Sequence, residues 1–140
     1  MPCLSGKYNP QIGPIINIKI VPAGTMNPSA PTFPHSAATF TALIDTGATS
    51  SCVSPAVAKS LGLSPIGMFP MISATHQVPV NVYLVDIVIP MVGNSFFLAG
   101  AQVMEFAPVA GCPFQTIIGR DIICRGVLTM GFDGHFSICL

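Results

Sequence analysis

The residues best placed to do chemistry lie in Thr41-Ala42-Leu43-Ile44-Asp45-Thr46-Gly47-Ala48-Thr49-Ser50. Asp45 closes an apolar run, and the local sequence offers it no basic partner. An unpaired carboxylate is costly to desolvate, so one kept in that setting is a candidate for acid–base function. Thr46 supplies a hydroxyl that can hold the turn. Gly47 permits a tight backbone that leaves the carboxylate open to a cleft. Taken alone, the triplet is also an ordinary turn after a strand, with Asp as its cap.

The elements that must hold this turn read as an all-β domain, because 14 prolines and 13 glycines cut the chain into short pieces rich in Val, Ile, Phe and Thr. Residues 14–21 alternate through Ile16, Ile18 and Ile20 as a half-exposed strand. Residues 22–36, with Pro22, Pro28, Pro31 and Pro34, read as a loop too rich in proline to carry a ladder. Residues 38–44 form the strand before Asp45, its last three apolar residues expected to be buried on both faces. Ser54, Pro55 and Gly62 mark the cap, first turn and stop of a short helix. Strands over 68–73 and 78–89 join across Ala74-Thr75-His76-Gln77 as a long hairpin, followed by a strand over 96–104 and a loop over 111–115. The short apolar strand Thr116-Ile117-Ile118 runs into Gly119-Arg120-Asp121, and residues 127–130 and 135–140 form a hairpin turned at Phe132-Asp133-Gly134. The last strand and residues 15–20 are free to pair within one chain or across a dimer.

Two apolar residues, Asp-Thr-Gly-Ala, a hairpin, and then Ile117-Ile118-Gly119-Arg120-Asp121 about 70 residues later make a specific combination. In this order and spacing, residues 38–140 resemble the retropepsins, the retroviral-type aspartic proteases. The resemblance implies an all-β fold, a small closed β-barrel of the acid-protease type with one or two short helices, working as a symmetric homodimer. By the same resemblance Asp45 is the catalytic aspartate, Thr46 hydrogen-bonds across the dimer beneath the two carboxylates, and the Gly47 carbonyl takes substrate backbone. Ala48 and Thr49 continue the substrate-binding loop. Ser73, Ala74, Thr75 and His76 belong to the flap tip that closes over the peptide. Ile117 lines a side-chain pocket, and Gly119 lets its segment pack against the aspartate loop.

That mechanism needs two carboxylates about 3 Å apart that share one proton, one activating water while the other protonates the carbonyl oxygen. Asp86, Asp121 and Asp133 are followed by Ile, Ile and Gly, so no second Asp-Thr-Gly exists. An active dimer with one Asp45 from each chain follows. Three features depart from the family pattern. Thr49 stands where retroviral members often carry an aspartate that pairs with the arginine, leaving Asp121 and Asp133 as candidate partners for Arg120. The flap tip has no glycine, and the proline-rich loop before the catalytic strand is long. The implied activity is endopeptidase cleavage of extended polypeptides, with no metal and no organic cofactor. The rival reading is an idle retropepsin-like dimerisation or peptide-binding module. An aspartyl-phosphate reading fails, since it needs a lysine between Asp and Thr.

Composition bounds the rest. The 140 residues read as a single domain over 1–140, 51% hydrophobic and only 7% charged, with net charge zero. So bare a surface favours a homo-oligomer whose interface resembles a core cut in half, while disorder is excluded. Lys7, Lys19, Lys59, Arg120 and Arg125 are scattered, which argues against nucleic acid as a partner. The longest uncharged apolar stretch, residues 87–104, is broken by Pro90, Gly93, Asn94 and Ser95, so no membrane span is expected. Without a signal pattern at the start, the expected compartment is cytoplasmic. Cys3, Cys52, Cys112, Cys124 and Cys139 form no C-x-x-C pair and read as reduced, mostly buried small residues. His76 reads as an exposed polar residue at a hairpin tip, and His35 and His135 have no partners at metal spacing.

Overall fold

The computed structural model describes residues 1–27, 29, 34 and 36–140. Part of the proline-rich loop, including Pro28, Pro31 and His35, lies outside the described residues. The elements in chain order are β1 (Cys3–Lys7), β2 (Ile15–Pro22), β3 (Thr39–Ile44), β4 (Cys52–Val53), α1 (Pro55–Ser60), β5 (Gly67–Ile72), β6 (Gln77–Pro90), β7 (Ser95–Glu105), β8 (Thr116–Ile118), α2 (Arg120–Ile123), β9 (Val127–Met130) and β10 (His135–Cys139). The strands read from the sequence are all present within a residue or two. Two short ones, β1 and β4, have too little periodicity to read and become strands only through their partners.

Six strands close on themselves in the order β2-β3-β8-β4-β7-β6, with β6 returning to β2. Closure removes every edge within that ring. The fold is therefore the closed six-strand barrel with few short helices expected from the sequence. Two features lie outside the ring: β5, which extends β6 as a free hairpin, and a three-stranded sheet β1-β10-β9. The terminal strand β10 thus pairs inside its own chain, and β2 pairs with β3 and β6. Ile16, Ile18 and Ile20 point inward as their alternation requires, joining Val85, Ile87, Ile89, Ile118 and Ile138 in one core. Strand β3 departs from expectation in one respect: Ala42 and Ile44 are buried but Leu43 between them is half-exposed, so β3 is covered fully on one face only.

Local signals set the ends of the elements. The Ser54 hydroxyl accepts the Val57 N–H at 3.3 Å as the α1 cap, an arrangement worth about 1 kcal/mol. The last hairpin turns at Gly134, whose φ of 82° is open to glycine at little cost. Asp86 is 1% exposed at the β-bulge between Val85 and Ile87. Its carboxylate accepts backbone N–H groups from Gly24 and Met26 on Oδ2 and from Gly100 on Oδ1, which ties the start of the long loop to the β6–β7 hairpin. Among the described residues no helix is long and apolar enough to cross a membrane.

The cysteines correct the sequence reading, since Cys3 and Cys139 are joined as a disulfide and only Cys52 is buried. Backbone bonds from Leu140 N–H to Pro2 O and from Tyr8 N–H to Gly134 O mark the bonded pairs of the β1–β10 ladder. Cys3 and Cys139 therefore face each other at a non-bonded position, where Cα atoms come closest, here 4.0 Å apart. No spacing pattern betrays a pair 136 residues apart. Chain-entropy arguments put the effect of so long a loop near 5 kcal/mol, within a measured range of roughly 0–5. Cys3→Ser is expected to lower the unfolding free energy by about 2–5 kcal/mol in urea without reductant. Coincident wild-type curves with and without dithiothreitol would show that the bond contributes nothing.

Candidate active site

Asp45 follows β3 directly and is half-buried rather than enclosed. Its N–H donates to Ile118 O at 2.9 Å, so the turn begins as a continuation of the β3–β8 pairing, and Ala48 N–H closes the turn on Asp45 O at 3.2 Å. Within it, Gly47 N–H donates to Asp45 Oδ1 at 2.8 Å. The turn at Gly47 is tight, and Gly47 does not use the left-handed region to make it. Its service is space, since a Cβ there would sit 3.1 Å from Asp45 Oδ1. Oδ2 accepts no hydrogen bond from the described residues. Thr46 and Gly47 are exposed.

The segment 119–121 braces this turn from below. A Cβ on Gly119 would fall 2.6 Å from the Ser50 carbonyl carbon and 3.0 Å from Ala48 O, so only glycine allows the approach. Arg120 N–H and Asp121 N–H donate to Ala48 O and Thr49 O. The Arg120 guanidinium donates to Thr46 O at 2.8 Å and to Thr49 Oγ1 at 3.0 Å. This corrects the expected pairing with Asp121 or Asp133: Thr49 itself, at the position where an aspartate was missing, takes the arginine through its hydroxyl. Asp121 instead accepts Ser51 N–H and Ser51 Oγ–H, and Ser51 Oγ accepts Gly119 N–H at 3.0 Å. Ser51, 1% exposed, is thus a central supporting residue that nothing in the sequence marked.

A cavity of about 370 Å³ opens beside the turn. Gly47, Ala48, Thr49 and Ser50 form one wall and Pro70, Met71 and Ile72 of β5 another, with Cys52, Met104, Phe106 and Ile117 completing a largely apolar lining. Four of the residues proposed from the sequence, Gly47, Ala48, Thr49 and Ile117, are therefore brought together. Ser73, Ala74, Thr75 and His76 are not in the lining. They form the exposed end of the β5–β6 hairpin, where the Ser73 hydroxyl accepts N–H bonds from Thr75 and His76. Those bonds hold a tight tip without glycine.

Residues 35–122, more than half of the chain, match the family model described as aspartyl protease. The chain belongs to the aspartyl protease family. Its fold is similar to the crystal structure of a retropepsin-like aspartic protease from Rickettsia conorii, with a TM-score of 0.59 and 13% sequence identity over 97% of this chain and 89% of that one. No curated protein matches the chain.

In this aspartyl protease family member a thiol also borders the cavity, and its state follows from burial. Desolvation, reinforced by the carboxylates of Asp121 and Asp45, pushes the Cys52 thiol up to about 12, so it stays neutral at working pH and is no nucleophile. Native alkylation with iodoacetamide at pH 8 is expected to label exposed Cys124 and spare Cys52. Early modification of Cys52, read by peptide mass spectrometry, would contradict that assignment. Gly119→Ala is expected to destabilise by about 1–3 kcal/mol, the range for overpacking a tight site, because its neighbours are backbone atoms that cannot swing away. A Gly119→Ala unfolding midpoint equal to wild type would mean that the turn and the brace are not in contact.

Proposed function

We propose that the chain is an aspartic endopeptidase that cuts extended polypeptides as a homodimer, with one Asp45 from each copy in a shared site. The observation that carries the reading is the fate of the five carboxylates. Asp86 holds three backbone N–H groups, Asp121 holds Ser51, Asp133 pairs with His135 at 3.2 Å, and Glu105 accepts the Tyr83 hydroxyl. Asp45 stands in the turn whose next residues, Gly47 to Ser50, wall the cavity, and its Oδ2 accepts no hydrogen bond from the described residues. One chain therefore supplies one catalytic carboxylate, and a mechanism that needs two requires a second copy.

Across such a pair the two carboxyl groups hold one proton between them, since both cannot ionise easily at short range. The ionised one removes a proton from water as the water oxygen attacks the peptide carbonyl. The other gives its proton to the carbonyl oxygen. Collapse of the tetrahedral intermediate breaks the C–N bond and returns a proton to the leaving amine. The peptide lies extended between the β5–β6 hairpin and the Asp45 loop, in the manner of strand addition. The apolar cavity supports a preference for large apolar side chains near the cut. A peptide library cut mainly beside charged residues would overturn that preference.

The non-catalytic peptide-binding or dimerisation module remains the second reading, favoured by the flap tip, whose Thr75 and His76 N–H groups are taken up by Ser73. Cleavage of an unfolded protein across pH 3–7, with sedimentation at the same concentrations, separates the two. Asp45→Asn is expected to lower cleavage by roughly 10²–10⁴-fold and to leave the dimer intact. A dimeric wild type that binds peptide without cutting it would establish the second reading, and a cleaving monomer would remove the two-copy site.

A further inference from the structure

Strand β5 is the last of its sheet, so one of its edges is unpaired among the described residues. Register decides which backbone groups that edge presents. Ser73 N–H donates to His76 O at 2.8 Å, which makes Ser73 and His76 a bonded pair. Antiparallel pairs alternate, so Met71 with Val78 and Phe69 with Val80 bond inward. Ile72 with Gln77, Pro70 with Pro79, and Met68 with Asn81 turn their backbone groups outward. Two prolines thus face each other at an outward position. The ladder between β5 and β6 loses nothing, because neither ring nitrogen would have donated into it. What disappears is the outer donor on each edge.

The outer edge of β5 therefore offers an N–H at Ile72, none at Pro70, and another only at Met68. Pro70 and Ile72 both line the cavity opposite Gly47–Ser50, so this is the edge that a peptide between hairpin and loop meets. Pro79 does not line the cavity and blunts the opposite edge. We infer that Pro70 is a specificity-determining residue that confines the flap's backbone recognition of an extended peptide to the register of Ile72. Substrate is then held by the flap over a short stretch beside the tip, and lengthening it past Ile72 wins no donor from the strand. The inference rests on the endopeptidase reading above.

The test uses the full chain and peptides built around a cut site found with wild type, extended by one alanine at a time at each end. In wild type, kcat/KM rises at the residue that pairs with Ile72 and stays level at the residue two places beyond, which faces Pro70. Pro70→Ala restores a donor and raises kcat/KM about five-fold at that second position, the scale of one added hydrogen bond. Pro79→Ala leaves the series as in wild type. A wild-type series that climbs through the second position overturns the inference even if Pro70→Ala does not fold, and so does a folded Pro70→Ala whose series superimposes on wild type. A wild type that cuts no peptide at all is a different failure, which removes the endopeptidase reading and the inference with it.

Discussion

The whole arrangement depends on one close contact: backbone against backbone where Gly119 meets the turn after β3. Parallel pairing of β3 with β8 brings Ile44 beside Ile118, and the next residue of each strand leaves the sheet at the same level. There the chain at Asp45 turns away and the chain at Gly119 passes beneath it. With no side chain between them, the peptide groups of 119–121 reach the carbonyls of Ala48 and Thr49, and the guanidinium of Arg120 reaches over to Thr46. A turn that would otherwise be a surface loop with unsatisfied carbonyls becomes a fixed platform. Catalytic carboxylates need such fixity, because misplacement of a reacting group by an ångström is costly.

This dependence explains what could be read in the sequence. Asp45-Thr46-Gly47 and Ile117 to Asp121 were visible because each is a compact string whose residue types have few other uses together, and the strands were visible because alternation over six or more residues is a strong signal. Ser51 was not visible. A buried serine matters here only through three partners far away in sequence, and no local pattern distinguishes it from a surface serine. The Cys3–Cys139 bond was hidden for the same reason, since it follows from the register of two terminal strands. An arginine in sequence suggests a carboxylate partner, and Asp121 and Asp133 are the ones at hand. In the fold a carbonyl and a hydroxyl lie within reach of the fork, and they suffice. Asp86 is a lone acid inside an apolar strand, and its part in tying three backbone N–H groups together shows only in the fold.

The scarcity of charge takes on a different sense once its placement is known. No Asp, Glu, Lys or Arg occurs between Lys59 and Asp86, and that interval contains the exposed hairpin. Met68, Ile72 and Val78 are 62%, 74% and 50% exposed there. Apolar side chains displayed on a projecting hairpin are unfavourable unless something covers them, and in the proposed function an apolar peptide does so. The projecting hairpin is thus one of several uncharged stretches, and the one whose strand β5 lines the cavity.

A projecting apolar hairpin with a free edge also invites the strands of other molecules to pair with it. Charge is the common protection, but a charged residue on β5 would stand against the cavity it lines. Facing prolines solve the problem differently. They remove a donor from each edge at one level, leave the inner ladder whole, and add no charge to the apolar wall. The cost falls on recognition, because the donor withheld from a stray strand is withheld from substrate as well. The donors that the outer edge of β5 keeps lie at Ile72, next to the tip, and at Met68, so in the proposed reading Pro70 both blunts that edge and limits the peptide's backbone pairing, while Pro79 protects only the opposite edge.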